Sequence, residues 1–252
     1  MYPILFELGP LRIGSYGVML AIAFLGANYL LRQQLGQRGV DPAFADKILF
    51  AAIVGGIVGS KLLFLLENWG HFVRHPFSMI FSGGGFTAYG GFALAMVLGW
   101  WTSRKHKVAV QVVFDAAAAP MAMGYGLGRL GCQFAGDGCY GIETDVPWGM
   151  SYPKGIVPTE LTVHPTPVYE SLYSLSLCLV LVLLGRKITQ PWVIFLVYLL
   201  FTGIGRFLVE FIRLNERILF GLTISQVGAL VMIGASVPLL IMLAVKSRRA
   251  AH

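Results

Sequence analysis

Charge is what this sequence has least of. Only 12% of its 252 residues are Asp, Glu, Lys or Arg, about half the share in an ordinary soluble domain. With 56% hydrophobic residues and a mean hydropathy of +0.72, that scarcity excludes a soluble globular domain. Cysteine is also sparse, and three residues make no disulfide framework. The opening stretch MYPILFELGPLRIGSYG lacks the basic segment and cleavage site of a signal peptide. The first helix is therefore expected to be retained. The net charge of +7 is spread over short connections, as topology signals are, and no nucleic-acid partner is expected.

In place of charge the chain has apolar runs close to the roughly 20 residues that cross a bilayer. Seven are read, at roughly 15–32, 47–66, 85–102, 108–128, 169–185, 191–212 and 222–245. The predicted fold class is an all-α integral membrane protein with about seven transmembrane helices. It forms a single polytopic domain, 1–252, with 129–168 as an extracytoplasmic insert between helices four and five. Alternate connections carry Arg32, Arg38 and Lys47, then Arg104, Lys105 and Lys107, then Arg186 and Lys187, then Lys246, Arg248 and Arg249. The positive-inside rule places that side, and the C-terminus, in the cytoplasm and the N-terminus outside. FVRHPFSMIFSGGG is expected to be a re-entrant or interfacial piece.

Within the second run, Gly55 and Gly59 recur at four-residue spacing, which lets helices approach closely. Lys61 follows, and an ammonium that deep needs a partner or an aqueous cavity. GLGRLG at 126–131 fits the dinucleotide pattern GxGxxG, but that loop must follow a strand. Here it follows an apolar helical run. The glycines at 124, 126, 128 and 131 are expected to thin and break the helix, freeing N–H groups beside Arg129. Snorkelling at a span end is the plainer reading of Arg129.

The sixth run carries Tyr198, Thr202, Arg206, Glu210 and Arg213 on one helical stripe. Arg206 and Arg213 can each pair with Glu210, and such a network could serve only to hold helices together. Yet Arg206 lies within LLFTGIGRFLVEFI, where an ionisable group is a site hypothesis by default. Two guanidiniums facing a bundle interior suit a carboxylate or phosphate. The abundant phosphate of a membrane is the phospholipid headgroup.

Longer motifs narrow the reading. GRLGCQFAGDGCYGIETDVPW, HPTPVYE and RFLVEFIR followed by ISQ, with SYGVMLAIAF early and YGGF before the third run, resemble in order the signatures of the prolipoprotein diacylglyceryl transferase family. The resemblance implies a multi-pass, seven-helix enzyme of the bacterial inner membrane with an extracytoplasmic N-terminus. It implies transfer of diacylglyceryl from phosphatidylglycerol to the lipobox cysteine thiol of prolipoproteins, giving a thioether and glycerol phosphate. By the same resemblance Arg129 and Arg206 are catalytic, with Glu210 and Tyr89 beside them. Tyr16, Asp115, Glu170, Arg213 and Gln226 match further family positions. The chain departs from the best-known members at Tyr89, where they carry histidine, at Cys132, where they carry asparagine, and at Thr202, where a tyrosine is expected.

Thiol attack on an sp³ carbon needs a thiolate, in-line approach and charge stabilisation on the departing phosphate. Arg129 and Arg206 would serve both purposes, since a thiol ionises more readily beside cations. A phenol is a poor base near neutrality, so Tyr89 is assigned a hydrogen bond to the headgroup. Asp137 and His164 are candidate bases, and Glu170 would orient an arginine. Lys61 and Thr202 complete the expected substrate-binding set. No metal or other cofactor is expected. The expected partners are phosphatidylglycerol, lipobox peptides and membrane lipid, with the chain a monomer. An anionic-lipid transporter and a non-catalytic lipid- or lipoprotein-binding paralogue are the alternatives.

Overall fold

A computed structural model describes residues 1–8, 11–82, 84–85, 87–218 and 220–250. The apolar runs form helices, because inside a bilayer each backbone N–H and C=O needs a partner within the chain. In order they are α1 (Ser15–Gln37), α2 (Phe44–Glu67), the short α3 (Trp69–Phe72) and α4 (Pro76–Ile80), α5 (Ala88–Lys105), α6 (Val110–Ala135), α7 (Thr166–Gly185), α8 (Val193–Val209) and α9 (Ile224–Ala250). Among the described residues, five segments are long and apolar enough to cross a membrane: Ser15–Gln37, Phe44–Glu67, Thr166–Gly185, Val193–Ile212 and Ile224–Ser247. α5 and α6, richer in glycine and polar side chains, fall short of that measure. The FVRHPFSMIFSGGG segment begins at Phe72, the last residue of α3, and includes α4.

Two small antiparallel hairpins depart from an all-helical expectation. β1 (Ile4–Leu8) pairs with β2 (Leu11–Gly14), and β3 (Met150–Tyr152) with β4 (Thr159–Val163). The expected break in α6 is absent. The helix runs unbroken to Ala135, six residues beyond Arg129, so the first part of the predicted insert is helical. Gly126 and Gly131 serve close packing instead, whereas Gly124 and Gly128 face open space. A Cβ on Gly126 would stand 2.9 Å from Leu175 Cγ on α7, and one on Gly131 3.1 Å from the Tyr16 ring on α1.

By internal contacts the chain divides into two units, Arg32–Val113 and a second of Met1–Leu31 with Phe114–His252. In the first, α2 packs on α5 so tightly that a Cβ on Gly59 would meet the Gly90 carbonyl at 2.3 Å. Gly55 makes the same approach to Ala95, as its spacing predicts. In the second unit, small residues of α6 (Ala118, Ala119 and Ala122) pack against Leu177, Cys178 and Leu181 of α7 and Ile194, Phe195 and Tyr198 of α8.

Candidate functional site

α7 opens with Thr166 and Pro167, and Glu170 follows in its second turn, only 5% exposed. A carboxylate so buried is stable as an anion only with charged or hydrogen-bonding partners. Two helices and the residue after α8's terminal turn supply them. Arg129 Nε of α6 lies 3.3 Å from Glu170 Oε2, Arg206 Nη1 of α8 donates to Oε1 at 2.8 Å, and Arg213 Nη1 donates to Oε2 at 3.0 Å. The Tyr125 hydroxyl also donates to Oε1. Tyr125 precedes Arg129 by one helical turn. It accepts a 2.9 Å bond from Arg129 Nη2, and the guanidinium carbon sits 4.9 Å from the ring centroid.

α8 ends in a 3-10 turn, Glu210–Ile212, which continues the predicted stripe. Arg206 Nη2 lies 3.0 Å from Glu210 Oε2, and Arg213 Nε lies 3.9 Å from the same oxygen. Arg206 Nη2 also donates to Ser225 Oγ at 3.0 Å, and Asn215 Nδ2 donates to Glu210 Oε1. Thr202 lies one turn after Tyr198 on the same helix. α7 and α8 come this close because residue 205 is glycine: a Cβ there would stand 2.3 Å from the Tyr173 ring.

The cluster thus sets three guanidiniums against two carboxylates, a surplus of one positive charge. A guanidinium has five N–H donors. The contacts just described use two on Arg129 and three on Arg206. Their side chains remain 15% and 21% exposed, so an anion can reach the rest.

The loop after α6 packs around the stacked rings of Tyr140 and Tyr152. Burial pushes the Tyr152 phenol up to about 12. The loop bonds to the end of α8 through Ile142 N and Ile212 O at 2.9 Å, next to Arg213. Cys139 lies on this loop. Its carbonyl accepts from Thr166 Oγ1 at 2.6 Å, its N–H donates to Asp137 Oδ1 at 3.2 Å, and its Sγ is 3.6 Å from Arg129 Nη1. The neighbouring Cys132 thiol, aided by Arg129, lowers the Cys139 thiol to about 7 against the opposing effects of burial and Asp137. The two sulfurs and an Asp137 oxygen lie within 4.8 Å of one another, a grouping the linear spacing did not suggest. Tyr16, packed on Gly131, is within electrostatic range of Arg129, Asp137 and both cysteines.

Other expected site residues are engaged elsewhere. Asp115 is buried on α6, fourteen residues before Arg129 and so about 21 Å along the helix. It accepts from the N–H groups of Trp192 and Phe195 at 2.7 and 2.8 Å, closing the start of α8. Gln226 forms a capping box with Thr223: Thr223 N–H donates to Gln226 Oε1 at 3.1 Å and Gln226 N–H to Thr223 Oγ1 at 3.2 Å. His164 Nδ1 is 3.3 Å from the Tyr169 hydroxyl, to which Trp148 Nε1 donates at 2.7 Å. In the first unit, Lys61 Nζ donates to the Ser82 hydroxyl and carbonyl and to the Gly84 carbonyl at 2.8–3.0 Å. Tyr89 stands there in the first turn of α5, 53% exposed.

The residues missed by sequence reasoning are Tyr125, Ser225 and Asn215. Tyr125, four positions before Arg129, carried a readable signal in that helical spacing. Ser225 and Asn215 gave none, because their partners are fixed by how α8, α9 and the 3-10 turn meet.

Comparison with known proteins bears on the same residues. The chain matches the model of the prolipoprotein diacylglyceryl transferase family over residues 3–242. It is 32% identical to a phosphatidylglycerol–prolipoprotein diacylglyceryl transferase of Clostridium tetani, over 86% of this chain and 87% of that protein. It is 35% identical to one of Geobacter sulfurreducens, over 84% and 82%, and 32% identical to one of Pseudomonas syringae pv. syringae, over 97% and 93%. A match spanning α1 to α9, and with them every arginine of the cluster, means that this chain belongs to the prolipoprotein diacylglyceryl transferase family.

Proposed function

We propose that the arginine cluster binds the headgroup phosphate of phosphatidylglycerol, and that the chain transfers the diacylglyceryl group to the lipobox cysteine thiol of a prolipoprotein. The observation that carries this reading is the surplus positive charge of Arg129, Arg206 and Arg213 around Glu170 and Glu210. Glu170 orders the three guanidiniums, and the N–H groups they retain meet the phosphate oxygens. The acceptor thiol attacks the terminal sp³ carbon of the diacylglyceryl group, forming the C–S bond as the C–O bond to phosphate breaks. Glycerol phosphate leaves with the bonding electrons, and the thiol proton passes to solvent or to the released phosphate. Arginine stabilises that developing charge and favours the thiolate over the thiol, so the surplus charge acts on both reactants.

Tyr125 and Ser225 hold Arg129 and Arg206 in place. Tyr16, Asp137, His164 and Thr202 bind the headgroup or the acceptor peptide, and Tyr89 acts through its hydroxyl. The protein is a monomer in the bacterial inner membrane, its N-terminus and residues 136–165 outside and its C-terminus in the cytoplasm. The test is direct. Purified protein, phosphatidylglycerol and a lipobox peptide should yield a peptide heavier by one diacylglyceryl group through a reductant-stable bond, together with free glycerol phosphate. Folded protein that binds the lipid and forms no thioether would sink the reading.

A further inference from the structure

Two thiols stand where the cluster meets the loop, and the transfer chemistry uses neither. Cys132 lies in the last turn of α6 and is buried, whereas Cys139 is half-buried on the loop. Gly136 and Gly138, at φ +60° and +85°, turn the chain back between them. That conformation suits glycine and strains other residues. The fold is thereby bent so that the two sulfurs and an Asp137 oxygen fall within 4.8 Å of one another. Such a grouping could serve a metal ion or a disulfide. Arg129 Nη1, 3.6 Å from Cys139 Sγ, decides between them, because a guanidinium repels a cation and attracts a thiolate.

We propose that Cys132 and Cys139 form a reversible dithiol–disulfide pair that controls how much of Arg129's charge is offered to an anionic lipid. This rests on the reading that Arg129 meets the headgroup phosphate. The more accessible sulfur, Cys139, reacts first. Its thiolate attacks an exchangeable low-molecular-weight disulfide, expels one thiol and leaves a mixed disulfide. Cys132 then attacks Cys139 Sγ and expels the second thiol. Two protein thiols are oxidised, the external disulfide is reduced to two thiols, and those thiols carry away the two protons.

The lowered Cys139 thiol supports that order, since the thiolate is the nucleophile. In the reduced state the Cys139 thiolate shares Arg129 with the phosphate. In the oxidised state the sulfur is uncharged, and Arg129 regains both the N–H group and its full charge. The bond also ties the end of α6 to Cys139, whose carbonyl holds Thr166 at the start of α7, four residues before Glu170.

The experiment uses full-length protein in nanodiscs of phosphatidylcholine with graded phosphatidylglycerol. After exposure to oxidised glutathione, mass spectrometry should find a loss of two hydrogens and one Cys132–Cys139 cross-linked peptide. Cys178 should remain a free thiol, alkylated only after denaturation, and dithiothreitol should reverse the change. Phosphatidylglycerol should bind the oxidised protein about three- to tenfold more tightly than the reduced protein. In the double variant Cys132→Ser, Cys139→Ser the affinity should not respond to redox treatment.

Glutathione adducts without a cross-link, a cross-link that leaves lipid affinity unmoved, or zinc shielding both thiols from alkylation in place of the cross-link would each overturn the proposal. The lipid-binding arm separates it from the transferase reading. Redox-dependent binding without transfer counts against transfer and for the pair, whereas active enzyme with no cross-link counts against the pair alone.

Discussion

Arg129 and Glu170, forty-one positions apart, meet at 3.3 Å and tie the end of α6 to α7. The same carboxylate takes Arg206 and Arg213, so its loss leaves three guanidiniums with only Glu210 to offset them. Removing one partner of a buried ion pair costs about 3–5 kcal/mol. Glu170→Gln is therefore expected to unfold at markedly lower temperature in detergent and to lose transfer. Melting within a degree of the wild type would show that Glu170 does not organise the cluster.

Lysine keeps the charge of Arg129 or Arg206 but loses the planar fork that reaches several partners together. Each charge-assisted bond lost contributes roughly 1.5–3 kcal/mol, or about ten- to hundredfold in rate if felt in the transition state. Arg206→Lys should cripple transfer and Arg206→Ala abolish it. Arg217→Ala, at an exposed position, should be nearly silent. Arg129→Lys is the deciding variant: near-normal turnover would return Arg129 to a snorkelling, structural role.

Asp115 is expected to separate stability from catalysis. Its carboxylate closes the start of α8 at Trp192 and Phe195, and losing such a cap costs about 0.5–2 kcal/mol. Asp115→Asn should lower the melting temperature while leaving the KM for phosphatidylglycerol unchanged. A several-fold rise in KM at normal stability would return Asp115 to the substrate site.

The Cys139 thiol, lowered to about 7 by the Cys132 thiol and Arg129, gives a pH profile with a defined sign. The thiolate fraction grows as pH rises, so alkylation of Cys139 should reach half its maximal rate near pH 7. Cys132→Ala removes the largest lowering contribution and should move that midpoint up. Asp137→Asn removes an opposing carboxylate and should move it down. Rapid-quench alkylation followed by mass spectrometry reads all three.

Orientation is tested in whole cells with an impermeant maleimide and single cysteines in a cysteine-free background. Position 154 should be labelled and position 105 should not. The reverse pattern would put the cluster at the cytoplasmic face.

The helices and the α8 stripe were legible because apolar length and four-residue spacing are local properties of a chain. Arg206–Glu210 and Arg213–Glu210 follow from that spacing alone. The continuity of α6 did not follow, because glycine's poor helix propensity is overridden where Gly126 and Gly131 let α7 and α1 pack close. Thr223-x-x-Gln226 is a capping-box pattern that could have been read before any function was given to Gln226. The convergence of three arginines on Glu170 was not legible, since it joins segments 36 to 43 positions apart through helix packing.

Glu170 also sets an order on biosynthesis. Its partner Tyr125 is synthesised forty-five positions earlier, and Arg206 thirty-six later. When α7 leaves the ribosome, its carboxylate can be met by Tyr125 and Arg129 of α6, because α8 is still inside the exit tunnel. An anion alone in hydrocarbon is disfavoured, so α7 is expected to dock on α6 as it enters the bilayer, and α8 then completes the pairing.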